Sequence, residues 1–334
     1  MTGDLVEVFR GAIVESRHHV HAAVVDASGK LRAYIGNPEL VTFFRSCAKP
    51  FQAIPLVRDG VVERFGLTLE ELALCCGSHS GGPRHLAAAA SILAKIGVDA
   101  ESLACGVQPP MDARERTSLA EQGLEPGRTH NTCSGKHAGM LALARVHGWA
   151  VAGYERIEHP VQGRILTEIA RWSELPVEAI GLGIDGCAAV TFAMPLRRMA
   201  LAWANLAGAA RRSEYEASCI TRAMTSYPEM VAGEKRICTD LMRVTEGRLV
   251  AKFGAEGLFC VGVPGAELGI TIKIEDGAFR AVSPAILAVL RQLDLISEDD
   301  LGMMASYAYP DQRNTTGEVV GQLRPNLLLH SPGE

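Results

Sequence analysis

No excess of positive charge runs through this sequence. Its 334 residues carry 33 Lys and Arg against 38 Asp and Glu, a net charge of -5. A chain without a basic field does not gather polyanions, so nucleic-acid binding is set aside. No apolar run approaches the ~18 residues that cross a bilayer, which sets a membrane aside too. The opening MTGDLVEVFRGAIVES places an acid early and has no long apolar core. That is unlike a secretory signal, and the chain is expected in the cytoplasm. A disulfide framework is also missing. The nine cysteines are odd in number, Cys75 and Cys76 are adjacent, and most sit in apolar runs such as LALCCG and GLFCVG. Buried thiols in a reducing compartment are expected instead. Neither C-x-x-C nor H-x-x-x-H occurs, so the usual zinc spacings are absent. Lysine is scarce, with 7 residues among the 33 basic ones. Three of them, Lys49, Lys136 and Lys252, fall beside Gly, Ser or Cys, where an amine has reason to be selected over a guanidinium.

What is present is an ordinary globular composition, 48% hydrophobic and 21% charged. From Leu5 to about Gly36 the pattern alternates like strands, and Val20–Val25, DASGK and LRAYIG predict a hairpin. Helical periodicity follows. Thr68 and Glu71 form a capping box before LEELAL. Further helices are predicted at 83–96, 111–122, 135–147, 158–173, 196–211, 214–226 and 234–245. GRLVAKFG, GLFCVGVPG and LGITIKIEDG return to strands, then a helix runs from about Pro284 to Gln292, then a polar tail. Strands at both ends around a helical middle predict an α+β fold in which the terminal strands share one sheet. The whole of 1–334 is expected to form a single catalytic unit, with a helical lobe of about 68–245 inserted in the sheet region.

Chemistry concentrates in five segments. RSCAKPFQ puts Ser46 and Lys49 three apart, one face of a helix, with an amine in reach of a hydroxyl. A serine needs a base to become a nucleophile, and a lysine serves only when neutral. Pro50 favours a first helical turn, whose free N–H groups suit an oxyanion. The proline also steers Lys49 away from helical angles. The same letters suit a plain, partly exposed helix start. Lys252 in VAKFGAEG matches no fixed motif alone, but a lysine running into glycine on a strand accompanies S-x-x-K serines in known acylases; an exposed strand lysine reads the same way. CCGSHSGG offers backbone N–H groups and the hydroxyls of Ser78 and Ser80, or simply joins two helices. HNTCSGKHAGM gathers Cys133, Ser134, Lys136 and His137 at a helix start. GLGIDGCAAV sets Asp185 and Cys187 where a strand turns. His18, His19 and His21 follow Glu15 too irregularly for a ligand set and read as strand residues near a site.

RSCAKPFQ, CCGSHSGG, NTCSGKHAGML, IDGCAAV and AKFGAEG, in this order, resemble the Rhizobium-type L-asparaginase family, also called asparaginase II. The likeness runs from Glu15 to the Gly-rich strands near 260. It implies a β-lactamase/glutaminase-like fold and hydrolysis of L-asparagine by a Ser–Lys acyl-enzyme route. Ser46 is then the nucleophile with Lys49 as its base, and Ser78 with Lys252 is a second pair. Arg45, His137, Asp185 and Glu15 are implied as substrate contacts, Arg45 for the α-carboxylate and Asp185 for the α-amine. Cys133, Lys136 and Cys187 match positions that bind Zn2+ in the family, and the family implies a homodimer. HHVH departs from the pattern, in which a glycine follows the histidine. The rival readings are a glutaminase or another serine acylase of the penicillin-recognising kind, and a non-catalytic protein binding zinc or an amino acid.

Overall fold

The computed structural model describes residues 3–333. Its contacts divide the chain into two units. One comprises 1–42, 194–208 and 240–334, the other 43–193 and 209–239.

The first unit is built on an eight-stranded sheet whose pairings are antiparallel. Across it run Asp311–Arg313, Val319–Leu327, Asp4–Arg10, Ile13–Asp26, Leu268–Ile274, Leu258–Val263 and Val250–Gly254. Leu31–Ile35 pairs with the far half of Ile13–Asp26, with Ala22 opposite Ile35. The predicted hairpin turn is held by Asp26, whose carboxylate accepts from the N–H groups of Ser28 (2.9 Å) and Lys30 (3.1 Å). The sheet therefore joins strands from both ends of the chain, as the α+β reading expects.

One expectation fails here. The C-terminal stretch is not a polar tail: Val319–Leu327 pairs with Asp4–Arg10 from Leu327 opposite Asp4 to Gly321 opposite Arg10. Its side chains are mostly half-buried, which leaves little hydrophobic alternation to read. The strand exists because the first strand supplies a ladder.

Two glycines shape the sheet's packing. Gly262 and Gly269 are opposite each other, and the helix Leu196–Arg211 lies against them. A Cβ on Gly269 would stand 1.9 Å from the carbonyl oxygen of Ala200 and 2.4 Å from the nitrogen of Ala204. Only a hydrogen fits there.

The second unit is helical. Helix Ser134–His147 is buried at every position from Ser134 to Ala144. Lys49–Arg58, Leu69–Cys75 and Pro83–Ile96 pack on it. Gly135 and Gly139 permit this: a Cβ on Gly135 would lie 2.5 Å from the Leu74 carbonyl oxygen, and one on Gly139 3.0 Å from Leu56 Cδ1. The Thr68–Glu71 capping box forms in both directions (3.2 and 2.7 Å). The predicted helices appear, within a few residues at their ends, as Pro83–Ile96, Ala113–Gln122, Ser134–His147, Pro160–Ser173, Leu196–Arg211, Tyr215–Ser226, Ile237–Val244 and Val282–Gln292. The strand and turn expected in GLGIDGCAAV form as Gly181–Ile184, and the structure adds the returning strand Val190–Pro195, which pairs with it antiparallel. All nine cysteines are free, eight of them buried. Among the described residues no helix is long and apolar enough to cross a membrane.

Candidate active site

Ser46 lies in a 3-10 turn, Arg45–Ala48, that runs straight into helix Lys49–Arg58. Despite the following proline, Lys49 keeps helical angles, φ -57° and ψ -39°. The turn engages two amides that a bare helix start would leave free: Cys47 N–H donates to Phe44 and Lys49 N–H to Ser46. Arg45, immediately before Ser46, sits at φ +46°, a strained position for a residue with a long side chain.

The Lys49 side chain is completely buried. Its amine lies 2.6 Å from the Gly77 carbonyl, 2.8 Å from Ser78 Oγ and 3.2 Å from Cys133 Sγ. The expected direct hydrogen bond to Ser46 is not made. A four-carbon stem starting at the first helical turn carries the amine inward, past Ser46, to the CCGSHSGG turn. Ser46 is half-buried, and its hydroxyl has no hydrogen-bond partner among the described residues. Ser78 is held in turn by its N–H on Val231 (2.8 Å).

Arg45 Nε donates to Asp185 Oδ1 at 2.9 Å. Asp185 occupies the turn after Gly181–Ile184, where Gly186 N–H meets its carboxylate at 2.9 Å and Ala188 is forced to φ +71°. Burial alone raises the Asp185 carboxyl, but Lys136, Arg45 and Lys49 outweigh it and hold the group ionised below the usual range. Beside it, Lys136 Nζ is 2.9 Å from Cys187 Sγ and 4.0 Å from Asp185 Oδ2. Cys187 Sγ donates to Asp185 Oδ2 at 3.5 Å, and its contact with Cys133, against burial and with help from Lys49 and Lys136, brings the Cys133 thiol well below its ordinary range. Cys187 goes up in the same exchange. Lys136 is raised: burial opposes its charge, but the neighbouring Cys187 and Cys133 sulfurs and Asp185 prevail.

The sequence profile of L-asparaginase II matches residues 6–325. The chain belongs to the L-asparaginase II family. Membership makes it a hydrolase with a small-molecule substrate. No curated protein matches the sequence. Among solved structures it is similar to Mglu in its native form, at 13% identity and TM-score 0.46, over 84% of this chain and 67% of that one. It is also similar to a β-lactamase from Mycobacterium bovis, at 16% identity and TM-score 0.41, over 80% and 94%.

The family motifs thus bring together Arg45, Ser46, Lys49, Ser78, Cys133, Lys136, His137, Asp185 and Cys187 within the helical unit. Lys252 and Glu15 belong to the sheet unit. Lys252, fully buried on Val250–Gly254, donates to the Phe253 carbonyl at 2.7 Å and lies 4.1 Å from that residue's ring centre. Glu15 is exposed and paired with Arg10 at 2.7 Å. His137 is buried with Nδ1 2.6 Å from Tyr154 Oη. Burial, then Lys136 and Lys49, push its imidazole well below the usual range, so it is neutral. Tyr154 escapes a reading of the sequence, because it sits in an irregular stretch, AGYERIEHP, with no motif around it.

A family zinc ion would draw on Cys133, Lys136 and Cys187. Among the described residues no group of three His, Cys, Asp or Glu suits a metal, as follows when one donor is lysine. The residues present fit such a set. Two sulfurs and an amine converge, and the Cys187 contact, with the nearby amines, lowers the Cys133 thiol below its ordinary range. Lys136 would release its proton on coordination.

Proposed function

We propose that this chain hydrolyses L-asparagine to L-aspartate and ammonia through an acyl-enzyme on Ser46. The observation that carries the proposal is the Lys49 amine, wholly buried and 2.8 Å from the Ser78 hydroxyl, with Ser46, whose own hydroxyl is unengaged, one helical turn before the lysine. An amino-acid substrate is a zwitterion, and the Arg45–Asp185 pair is its mirror image. Arg45 takes the α-carboxylate and Asp185 the α-ammonium, so one ion pair is exchanged for two. With those groups fixed, the side-chain amide is presented to the serine.

Ser46 Oγ then attacks the amide carbon while its proton passes to Lys49. For this step the lysine is the neutral amine, its own proton resting on the Cys133 sulfur 3.2 Å away, and it turns from Ser78 toward Ser46. The same lysine returns a proton to the departing nitrogen, the C–N bond breaks, and ammonia leaves. Water, deprotonated by the same amine, cleaves the ester and restores Ser46. Gly77 and Ser78 hold the amine in place between the two half-reactions. Zn2+ held by Cys133, Lys136 and Cys187 would supply an electrophilic anchor for the polar groups of the substrate. The reading includes a cytoplasmic homodimer.

A specific observation favours Ser78 as an alternative nucleophile: it is the serine that touches Lys49. Ammonia release from asparagine and from glutamine, with hydroxylamine added to trap the acyl group, tests both. Aspartyl hydroxamate must form and must disappear in Ser46→Ala. Persistence in Ser46→Ala and loss in Ser78→Ala would transfer the role, and faster release from glutamine would make the enzyme a glutaminase.

A further inference from the structure

His137 has two ring nitrogens, and the contacts of Tyr154 decide which one carries the proton. Tyr154 Oη accepts the Ala104 backbone N–H at 2.8 Å and lies 2.6 Å from His137 Nδ1. The tyrosine is 1% exposed, so its own hydroxyl hydrogen needs an acceptor inside the protein. Among the described residues Nδ1 is the acceptor within reach. Were Nδ1 protonated, in the other neutral tautomer or in the imidazolium, two N–H donors would face one oxygen. The phenol hydrogen would then be buried with nothing to receive it. The ring hydrogen of His137 therefore resides on Nε2. That nitrogen is buried and makes no hydrogen bond among the described residues. Buried donors left without an acceptor are rare in folded proteins and call for an explanation. This one stands next to Lys136 on the helix that follows Cys133, in the field of the Lys136 and Lys49 amines.

We infer that Tyr154 is a positioning residue: by donating to Nδ1 of His137 it presents the Nε2 hydrogen to an oxygen of the bound substrate. The inference rests on the assignment of the Lys49 cluster as the substrate site and adds to it a residue that touches no substrate. The recognised group is a carboxylate or carboxamide oxygen. A backbone amide sets the phenol, the phenol sets the tautomer, and the tautomer sets the polarity of the contact.

Nitrogen-15 spectra of histidine-labelled protein read the tautomer directly, with the His137 signals assigned by their loss in His137→Gln. The wild type is expected to show Nε2 protonated, and Tyr154→Phe to move population toward the Nδ1-protonated form. In kinetics Tyr154→Phe should raise KM for asparagine about tenfold, the worth of one neutral hydrogen bond, with kcat nearly unchanged. In a His137→Gln background the same substitution should add almost nothing, a coupling that a purely structural tyrosine would not show. Nδ1 protonation in the wild type overturns the inference, as does an unchanged KM in Tyr154→Phe or an undiminished penalty without His137. Should Tyr154→Phe fail to fold, the wild-type spectrum alone decides. Nε2 protonation in a protein that releases no ammonia from asparagine would sink the substrate assignment while upholding the role of Tyr154 in placing the proton.

Discussion

Replacing Lys49 with methionine separates chemistry from packing. Methionine has nearly the same length and fills the same buried channel, so the apolar contacts of the stem survive. Three polar contacts are lost, at 2.6 Å to Gly77, 2.8 Å to Ser78 and 3.2 Å to Cys133. A buried carbonyl deprived of its donor costs about 1–3 kcal/mol. Removing an amine from the interior offsets part of that, so the net loss should stay under about 3 kcal/mol. A domain with the usual stability of about 5–15 kcal/mol remains folded. Turnover should suffer far more, because a positioned base contributes about 10²–10⁴-fold, or about 3–5 kcal/mol of barrier. The measurements are urea unfolding and a coupled ammonia assay, run where the variant is fully folded. A folded Lys49→Met enzyme keeping more than about a tenth of the wild-type kcat would refute the role of this amine.

Ser46→Ala removes a half-buried hydroxyl with no partner among the described residues, so unfolding should shift by no more than about 0.5 kcal/mol while turnover falls by at least about 10³-fold; an active variant removes Ser46 from the mechanism. Acid stability should depend on His79 and His85. Each uses both ring nitrogens in the neutral form, His79 on Gly81 and Ser134, His85 on Gly82 and Glu229. Burial, the leading cause for both, lowers their pKa from the ordinary 6.5. The unfolded chain therefore binds protons near pH 6.5 that the folded chain refuses, and stability is full above that pH and declines below it, by up to about 1.4 kcal/mol per unit for each histidine. A flat stability profile between about pH 6.5 and 5 would contradict this. Gly269→Ala should destabilise the sheet unit by about 3 kcal/mol or more, since its methyl meets helix backbone at 1.9 Å. Gly302→Ala, with nothing within 4 Å, should be neutral or slightly stabilising, and equal melting shifts for the two would refute the packing argument. Chelation, followed by metal analysis, should raise KM more than it lowers kcat if zinc at Cys133, Lys136 and Cys187 orients the substrate; no bound metal in the purified protein would count against that site.

Local order is readable because its causes are local. Apolar residues recurring every three or four positions, Thr68 facing Glu71, and the Gly97, Gly123 and Gly148 caps mark helix ends with short-range steric and hydrogen-bond preferences. The α+β arrangement follows from the order of strand-like and helix-like stretches, and the site segments stand out because lysine is rare here and three lysines sit among Gly, Ser and Cys. The strand Val319–Leu327 is not readable, since its alternation is weak and its partner, Asp4–Arg10, lies at the other end of the chain. Residue types and their spacing thus determined the elements and nominated the reactive groups. Packing alone decided that Lys49 meets Ser78, far along the chain, that Arg45 meets Asp185 from a still more distant segment, and that Tyr154 holds His137. Those contacts depend on how buried helices and turns fit together, and a side chain's reach to a distant partner leaves no periodic trace in the chain.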